Sequence, residues 1–181
     1  MSRQYFSTFQ LILISLFAAL IVVAKIALRL PLQLPGHTGI FWMAILIVGV
    51  RVVPQRGTAS LIGLTSGLLA AFMGLGDFGA LDTFLSYLAV GLSTELALVL
   101  LPNVENPISA GLVGAIGHTG KFLVKWLIGI ITGAPLGFVT LGLAWSLFSY
   151  ILFGAIGGVL GSLIILSLKK AGFFQYLAEK R

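Results

Sequence analysis

Long apolar stretches alternate along this chain with short segments rich in proline, glycine and charge. Six stretches can be separated in this way, each about long enough to cross a bilayer as a helix if the shorter ones tilt or thin the membrane locally. The predicted spans are approximately residues 9–29, 39–53, 58–75, 82–101, 107–131 and 137–168. The pattern predicts an all-α integral membrane protein, a compact bundle of six transmembrane helices, with Asp82 as the N-cap of the fourth helix.

The distribution of basic residues predicts the orientation of this bundle. An even number of spans puts both termini on one side, and seven basic residues then share that side: Arg3, Arg51, Arg56, Lys169, Lys170, Lys180 and Arg181. Basic residues are retained in the cytoplasm, so both termini are predicted to be inside. We interpret the N-terminal apolar run as an uncleaved first span, and residues 1–181 as one membrane domain.

Composition supports a membrane protein and excludes several kinds of chemistry. Hydrophobic residues make up 59% of the 181 residues, charged residues 9%, and the mean hydropathy is +1.11. There is no cysteine, which rules out disulfides, thiolate metal sites and cysteine nucleophiles. The net charge of +6 comes mainly from basic residues scattered along apolar helices, which favours membrane orientation over nucleic-acid binding. No P-loop, HExxH or GxSxG motif occurs, so we expect neither an enzyme nor a metal or other cofactor.

Most polar residues within the spans fall in the outer half of the predicted bundle, which implies a polar pocket open to the outside. His118, Lys121 and Lys125 are spaced i, i+3, i+7 and share one helix face. Three cationic groups on one stripe can bind a carboxylate or phosphate where the dielectric constant is low. Alternatively, Lys125 reaches the outer headgroups and Lys121 pairs with Glu95 or Asp82.

The predicted loops and aromatic residues on the same side have two interpretations each. Arg29 and His37 flank a proline-rich loop that is either a lid over the pocket or a connector at the membrane surface. Asp77 precedes the fourth span and is a candidate partner for a hydrogen-bond donor on the substrate or for the Arg29 guanidinium. The aromatic side chains either stack on a planar ligand or form an interfacial belt: Trp42, Tyr87, Trp126, Trp145 and Tyr150.

The chain resembles a substrate-binding S component of an energy-coupling factor (ECF) transporter. The resemblance is carried by six short spans, glycine- and alanine-rich helices, basic inner ends, outward-facing polar residues and the candidate first loop LPLQLPGHTGIFW. The resemblance implies vitamin or micronutrient uptake across a prokaryotic cell membrane, with a transmembrane coupling subunit and two ATPase subunits as partners. This family often has an AxxxA strip on the first span for docking the coupling subunit. The nearest equivalents here are Ser15, Ala18 and Ala19. The metal-binding signature of the cobalt and nickel members is missing, so the expected solute is organic.

We therefore expect a substrate-binding membrane subunit that captures a small anionic organic solute from outside. The candidate substrate-binding residues are Arg29, His37, Trp42, Asp77, Tyr87, His118, Lys121, Lys125, Trp126 and Trp145. Alternatives are a stand-alone secondary transporter or channel that uses Glu95 and His118 as a proton relay, an intramembrane enzyme, and a non-transporting scaffold subunit.

Overall fold

The structure, a computed structural model, describes residues 5–28, 34–76, 79–133 and 136–179, with the backbone alone for 136–141 and 179. This described part of the chain is all-helical and contains no strand. Its helices are α1 (Thr8–Ala27), α2 (Gly39–Val52), α3 (Thr58–Phe72), α4 (Ala80–Leu100), α5 (Pro107–Ile131), α6 (Leu136–Lys170) and α7 (Phe173–Glu179). Each predicted span coincides with one of α1–α6. The seven residues of α7 are too few for the hydrophobic pattern to predict.

Three of the described helices are long and apolar enough to cross a membrane: α1, α4 and the Gly142–Lys170 part of α6. The shorter helices α2 and α3 are also apolar, with 14 and 15 residues. These lengths and compositions are compatible with a membrane protein. Helix α6 continues without a break through Gly154, and its 35 residues span about 52 Å, more than the hydrocarbon core of a bilayer.

Local sequence signals explain where several helices begin. The Ser7 side chain accepts a hydrogen bond from the Gln10 amide, and the Gln10 side chain accepts one from the Ser7 amide, which forms a capping box on α1. Asn106 caps α5, and Pro107 occupies the first helical position. Helix α4 begins at Ala80, directly after Gly79, and not at the predicted cap residue Asp82.

The first six helices pack in a closed ring. Helix α1 contacts α2 and α3, and the ring continues from α3 through α4, α5 and α6 back to α2. Helix α2 also touches α3 and α5, and most of its residues are buried. A helix enclosed by protein in this way does not have to match the bilayer thickness with its own length.

Glycines allow the closest helix contacts, as the small-residue pattern indicated. A Cβ on Gly114 of α5 would lie 2.2 Å from the carbonyl oxygen of Gly154 on α6, and a Cβ on Gly154 would lie 2.4 Å from the Gly114 oxygen. Gly63 of α3 and Gly91 of α4 meet in the same way, with clashes of 2.8 and 2.7 Å against backbone atoms. These helices are therefore in backbone contact, which any larger residue would prevent.

One end of the bundle is held by an ionic cluster. Glu105, in the loop before α5, binds Arg51 of α2 at 2.8 Å and also Lys169 at the end of α6. The Lys169 ammonium and the Arg51 guanidinium hold the pKa of the Glu105 carboxyl below its ordinary value of 4.5. The Arg51 guanidinium also lies 4.5 Å from the ring centre of Phe174, which attaches α7 to this end.

Candidate functional site

Two adjoining clefts lie at the opposite end, between the end of α1, the start of α2, the first half of α4 and the second half of α5. Their volumes, open mouths included, are about 290 and 210 Å³. Both are lined by Lys25, Tyr87 and Lys121. The first cleft adds Ala24, Leu28, Thr38, Phe41 and Trp42, and the second adds Gly76, Asp82, Thr83, Ser86 and Lys125.

The enclosed part of each cleft is narrow. It has room for about one water molecule, so a larger solute enters only if lining side chains move. The two clefts share three lining residues and lie side by side.

The ammonium groups of three lysines converge on this region. Lys25 Nζ donates a hydrogen bond to the Leu75 carbonyl at the end of α3 and lies 5.4 Å from the ring centre of Tyr87. Lys121, only 8% exposed, places Nζ 5.8 Å from the ring centre of Trp42 and 5.9 Å from that of Tyr87. Cations over aromatic faces are stabilised by the ring quadrupole, which keeps these charges at the cleft rather than in lipid.

Lys25 was not among the site residues predicted from the sequence. Its signal was present, because Lys25 interrupts an apolar helix in the same predicted outer half of the bundle as Lys121 and Lys125. What the sequence could not provide was the azimuth of α1, which turns this side chain toward α4 and α5. The structure therefore adds Lys25 to the candidate site.

Asp82 is the buried carboxylate of the second cleft. The N-cap of α4 is Gly79, and Asp82 lies inside the helix, so the prediction that Asp82 is the cap is wrong. Asp82 lies one turn further in, 3% exposed, where it faces α5 rather than the free amides of the helix start. Its carboxylate is 3.6 Å from Lys125 Nζ and accepts a hydrogen bond from the Ser86 hydroxyl at 3.3 Å.

Trp42 and Tyr87 form the wall between α2 and α4. Their ring centres are 4.9 Å apart with an interplanar angle of 36°, and they are 5% and 3% exposed. Because the two rings pack on each other and support the lysine ammonium groups, little of either face is open to a ligand. In this arrangement both rings lie beside lysine ammonium groups.

His118 lies beside this wall, fully buried and outside the lining of both clefts. Its Nδ1 is 3.0 Å from the Tyr150 carbonyl oxygen, which can only accept, so we infer that Nδ1 carries the hydrogen and Nε2 is left as an acceptor. The imidazole fits because residue 39 is glycine, where a Cβ would lie 2.1 Å from His118 Cε1. His118 thus joins α5 to α6 and to the start of α2.

The remaining predicted residues lie away from the two clefts or outside the described residues. His37 Nδ1 is 2.7 Å from the Leu34 carbonyl oxygen, within the turn before α2. Trp126 is half-buried on α5, and Trp145 is 56% exposed beside Phe148. Arg29 and Asp77 fall outside the described residues.

The three small residues predicted to dock a partner do not share one surface of α1. Ser15 and Ala19 are exposed, whereas Ala18 is 0% exposed and faces the interior of the bundle. A buried residue cannot contribute to an outward-facing strip. Of the three predicted docking residues, only Ser15 and Ala19 are accessible to a partner.

Glu95 lies far along α4 from Asp82 and caps α3. Its Oε1 accepts a hydrogen bond from the Gly57 amide at 2.7 Å, and its Oε2 accepts one from the Ala59 amide at 3.1 Å. The first amides of a helix have no partner within the helix, so an acceptor from another helix satisfies them. These contacts account for the half-buried carboxylate without a proton relay to His118.

The arrangement can bind an anion, because ammonium groups from α1 and α5 and hydroxyl groups from α4 and from Thr38, just before α2, line the two adjoining clefts. Contacts between opposite charges are stronger there than in bulk water. Comparison with known proteins found no protein-family profile, curated protein or solved structure that matches the chain.

Proposed function

We propose that this protein is the substrate-binding membrane subunit of an importer and captures a small anionic organic solute from outside the cell. The observation that carries the proposal is the convergence of Lys25, Lys121 and Lys125 at one end of the bundle. Ammonium groups at membrane depth cost about 2.5–3.5 kcal/mol each on insertion scales, so an apolar chain that keeps three of them together points to a function.

The proposed topology has six spans, with both termini in the cytoplasm. Three helices have the length and hydropathy to cross a bilayer on their own, and the enclosure of α2 by other helices supports the shorter ones. The Glu105 cluster, with its basic partners, would then lie at the cytoplasmic end. The clefts would lie at the outer end, where a solute arrives.

The proposed partners follow from the resemblance to ECF S components. On this proposal, a transmembrane coupling subunit and two ATPases supply the energy, and the protein resides in a prokaryotic cell membrane. The exposed apolar face of α1, which includes Leu16, Leu20 and Val23, is available to lipid or to such a subunit. A proton relay through Glu95 has no support from the contacts of this residue, because both of its carboxylate oxygens accept hydrogen bonds from amides at the start of α3.

Native mass spectrometry of the gently purified protein tests the proposal first, since a captured solute should co-purify as a bound anionic molecule. Lys121→Ala should then weaken binding of that solute at least tenfold, which corresponds to about 1.4 kcal/mol. Lys170→Ala is the matched control, because Lys170 is exposed at the far end of α6. Unchanged affinity in Lys121→Ala would remove this lysine from the site.

Reconstitution into liposomes separates the proposal from a stand-alone transporter. The purified protein should bind solute but should not accumulate it under an ion gradient. Gradient-driven uptake without added ATPases would refute the assignment as a subunit.

A further inference from the structure

Asp82 gives the second cleft a hydrogen-bond acceptor that a simple anion cannot use. Its side chain is 3% exposed and lines this cleft together with Lys25, Lys121 and Lys125. Two negative charges repel each other more strongly at low dielectric constant than in water. A solute with nothing but an anionic group is therefore attracted by the lysines and repelled by the Asp82 carboxylate.

Both oxygens of this carboxylate have the capacity for a further donor. Oδ2 lies 3.6 Å from Lys125 Nζ, and Oδ1 accepts a hydrogen bond from the Ser86 hydroxyl at 3.3 Å. Charge-assisted hydrogen bonds to a carboxylate are about 2.5–2.9 Å long, and an ionised carboxylate can accept about four hydrogen bonds. A well-placed donor on the solute would therefore form a shorter contact with Asp82 than either of these.

The second cleft is the place where such a donor is recognised. The residues that line only the first cleft are Ala24, Leu28, Thr38, Phe41 and Trp42. Among these described residues none carries a carboxylate, and only Thr38 has a side-chain oxygen. Asp82 is therefore the strongest acceptor that the described lining offers to a solute.

We infer that Asp82 accepts a hydrogen bond from a hydroxyl group of the solute, so that the substrate class is a hydroxy acid rather than an acid without donors. A hydroxyl is neutral and leaves the charge of Asp82 balanced by Lys125. The lysines that line the same cleft face the acid group of the solute. The inference rests on the proposed function and specifies its substrate class.

The solute that co-purifies with the protein provides the first test. Its exact mass after release, recorded in H₂O and in D₂O, counts the hydrogens that exchange with water. We expect at least one exchangeable hydrogen beyond those of the acid groups, carried by oxygen. A solute whose exchangeable hydrogens all belong to acid groups would overturn the inference and would still uphold anion capture.

Calorimetric titration of the full-length protein in nanodiscs provides the second test, with acids that share one carbon skeleton. We expect 3-hydroxybutyrate to bind about tenfold more tightly than butyrate, because a hydrogen bond to a charged group is stronger than one between neutral groups. The third acid, 3-aminobutyrate, carries a positively charged donor at the same carbon. Tighter binding of 3-aminobutyrate than of 3-hydroxybutyrate would overturn the assignment of a hydroxyl.

Asp82→Asn connects this preference to the residue. This variant should bind 3-hydroxybutyrate more weakly than the unmodified protein does, and it should bind butyrate at least as well, because the repelling charge is gone. The advantage of the hydroxyl should therefore fall from about tenfold to about threefold or less. A merely structural role of Asp82 would weaken the binding of both acids equally.

Glu95→Gln is the matched control, because it makes the same change from carboxylate to amide on α4 but far from the clefts. The advantage of 3-hydroxybutyrate should be unchanged in this variant, and an equal loss there would show that the hydroxyl is recognised elsewhere. If Asp82→Asn does not fold, the titrations of the unmodified protein still decide. Equal affinities for butyrate and 3-hydroxybutyrate, or no binding of either, would overturn the inference, while a co-purified anion would still uphold capture.

Discussion

Glu95 provides a direct test of how a partly buried charge is used in this bundle. Its two carboxylate oxygens accept hydrogen bonds from the amides of Gly57 and Ala59, at 2.7 and 3.1 Å. Glu95→Gln keeps the shape of the side chain but replaces one acceptor oxygen with an NH₂ group. That group faces an amide N–H, so one of the two hydrogen bonds is lost and two donors are brought together.

The magnitude follows from these contacts. A buried amide that loses its acceptor costs about 1–3 kcal/mol, and removal of a negative charge from a helix N-terminus costs about 0.3–1 kcal/mol. Glu95 is half-buried, so water replaces part of the lost contact. We therefore expect Glu95→Gln to lower the free energy of unfolding by about 1–2 kcal/mol, and Glu95→Ala to lower it further because both amides then lose their acceptor.

Reversible unfolding in mixed micelles, followed by intrinsic fluorescence, measures this loss. Glu179→Gln makes the same chemical change in the last residue of α7 and serves as the control. Binding of the co-purified solute should be the same in the Glu95→Gln variant as in the unmodified protein. An unchanged unfolding free energy, or normal stability with impaired binding, would refute the assignment of Glu95 as a helix cap.

Two further substitutions test the packing around His118 and the ionic cluster. Gly39→Ala should destabilise the protein by about 1–3 kcal/mol, because the new Cβ would overlap the His118 imidazole, which the Tyr150 carbonyl holds in place. Gly142→Ala is the control and should be neutral or stabilising, because a Cβ there meets nothing within 4 Å. Equal effects of the two substitutions on stability would contradict this account. Glu105→Gln should lower stability at neutral pH. The Lys169 ammonium and the Arg51 guanidinium lower the pKa of the Glu105 carboxyl. The contribution of this carboxylate to stability is therefore present above pH 4.5 and is lost as the pH falls through the lowered pKa. Thermal unfolding across that range should show the difference between variant and unmodified protein disappearing in acid, and a constant difference would refute the ionic origin.

The positions of the helices were predictable to within a few residues. The fifth span was predicted at 107–131 and α5 is Pro107–Ile131, because Asn106 and Pro107 give a strong start signal. The start of α4 was predicted less well. Asp82 has the residue type of a cap, but Gly79 occupies that position, and sequence alone does not distinguish a capping aspartate from one that faces a neighbouring helix.

The candidate site was predictable in part. Lys121 and Lys125 were identified because helical periodicity places them on one face of α5. The sequence offered Asp82 as a partner for Lys121, whereas the structure places its carboxylate 3.6 Å from Lys125 Nζ, and Lys25 was not included in the site. Both depend on how α1, α4 and α5 are rotated about their own axes, which the apolar stretches barely constrain because nearly every face of these helices is hydrophobic.

By itself, the amino-acid sequence determined an all-helical, strongly apolar protein with several isolated charges, because hydropathy and helix-start signals act over short distances along the chain. Only the tertiary structure decided which of those charges meet. It directed Glu95 to the free amides of α3 and brought Lys25 beside Lys121, since the partner of a buried charge is set by helices distant in sequence that pack closely through their glycines.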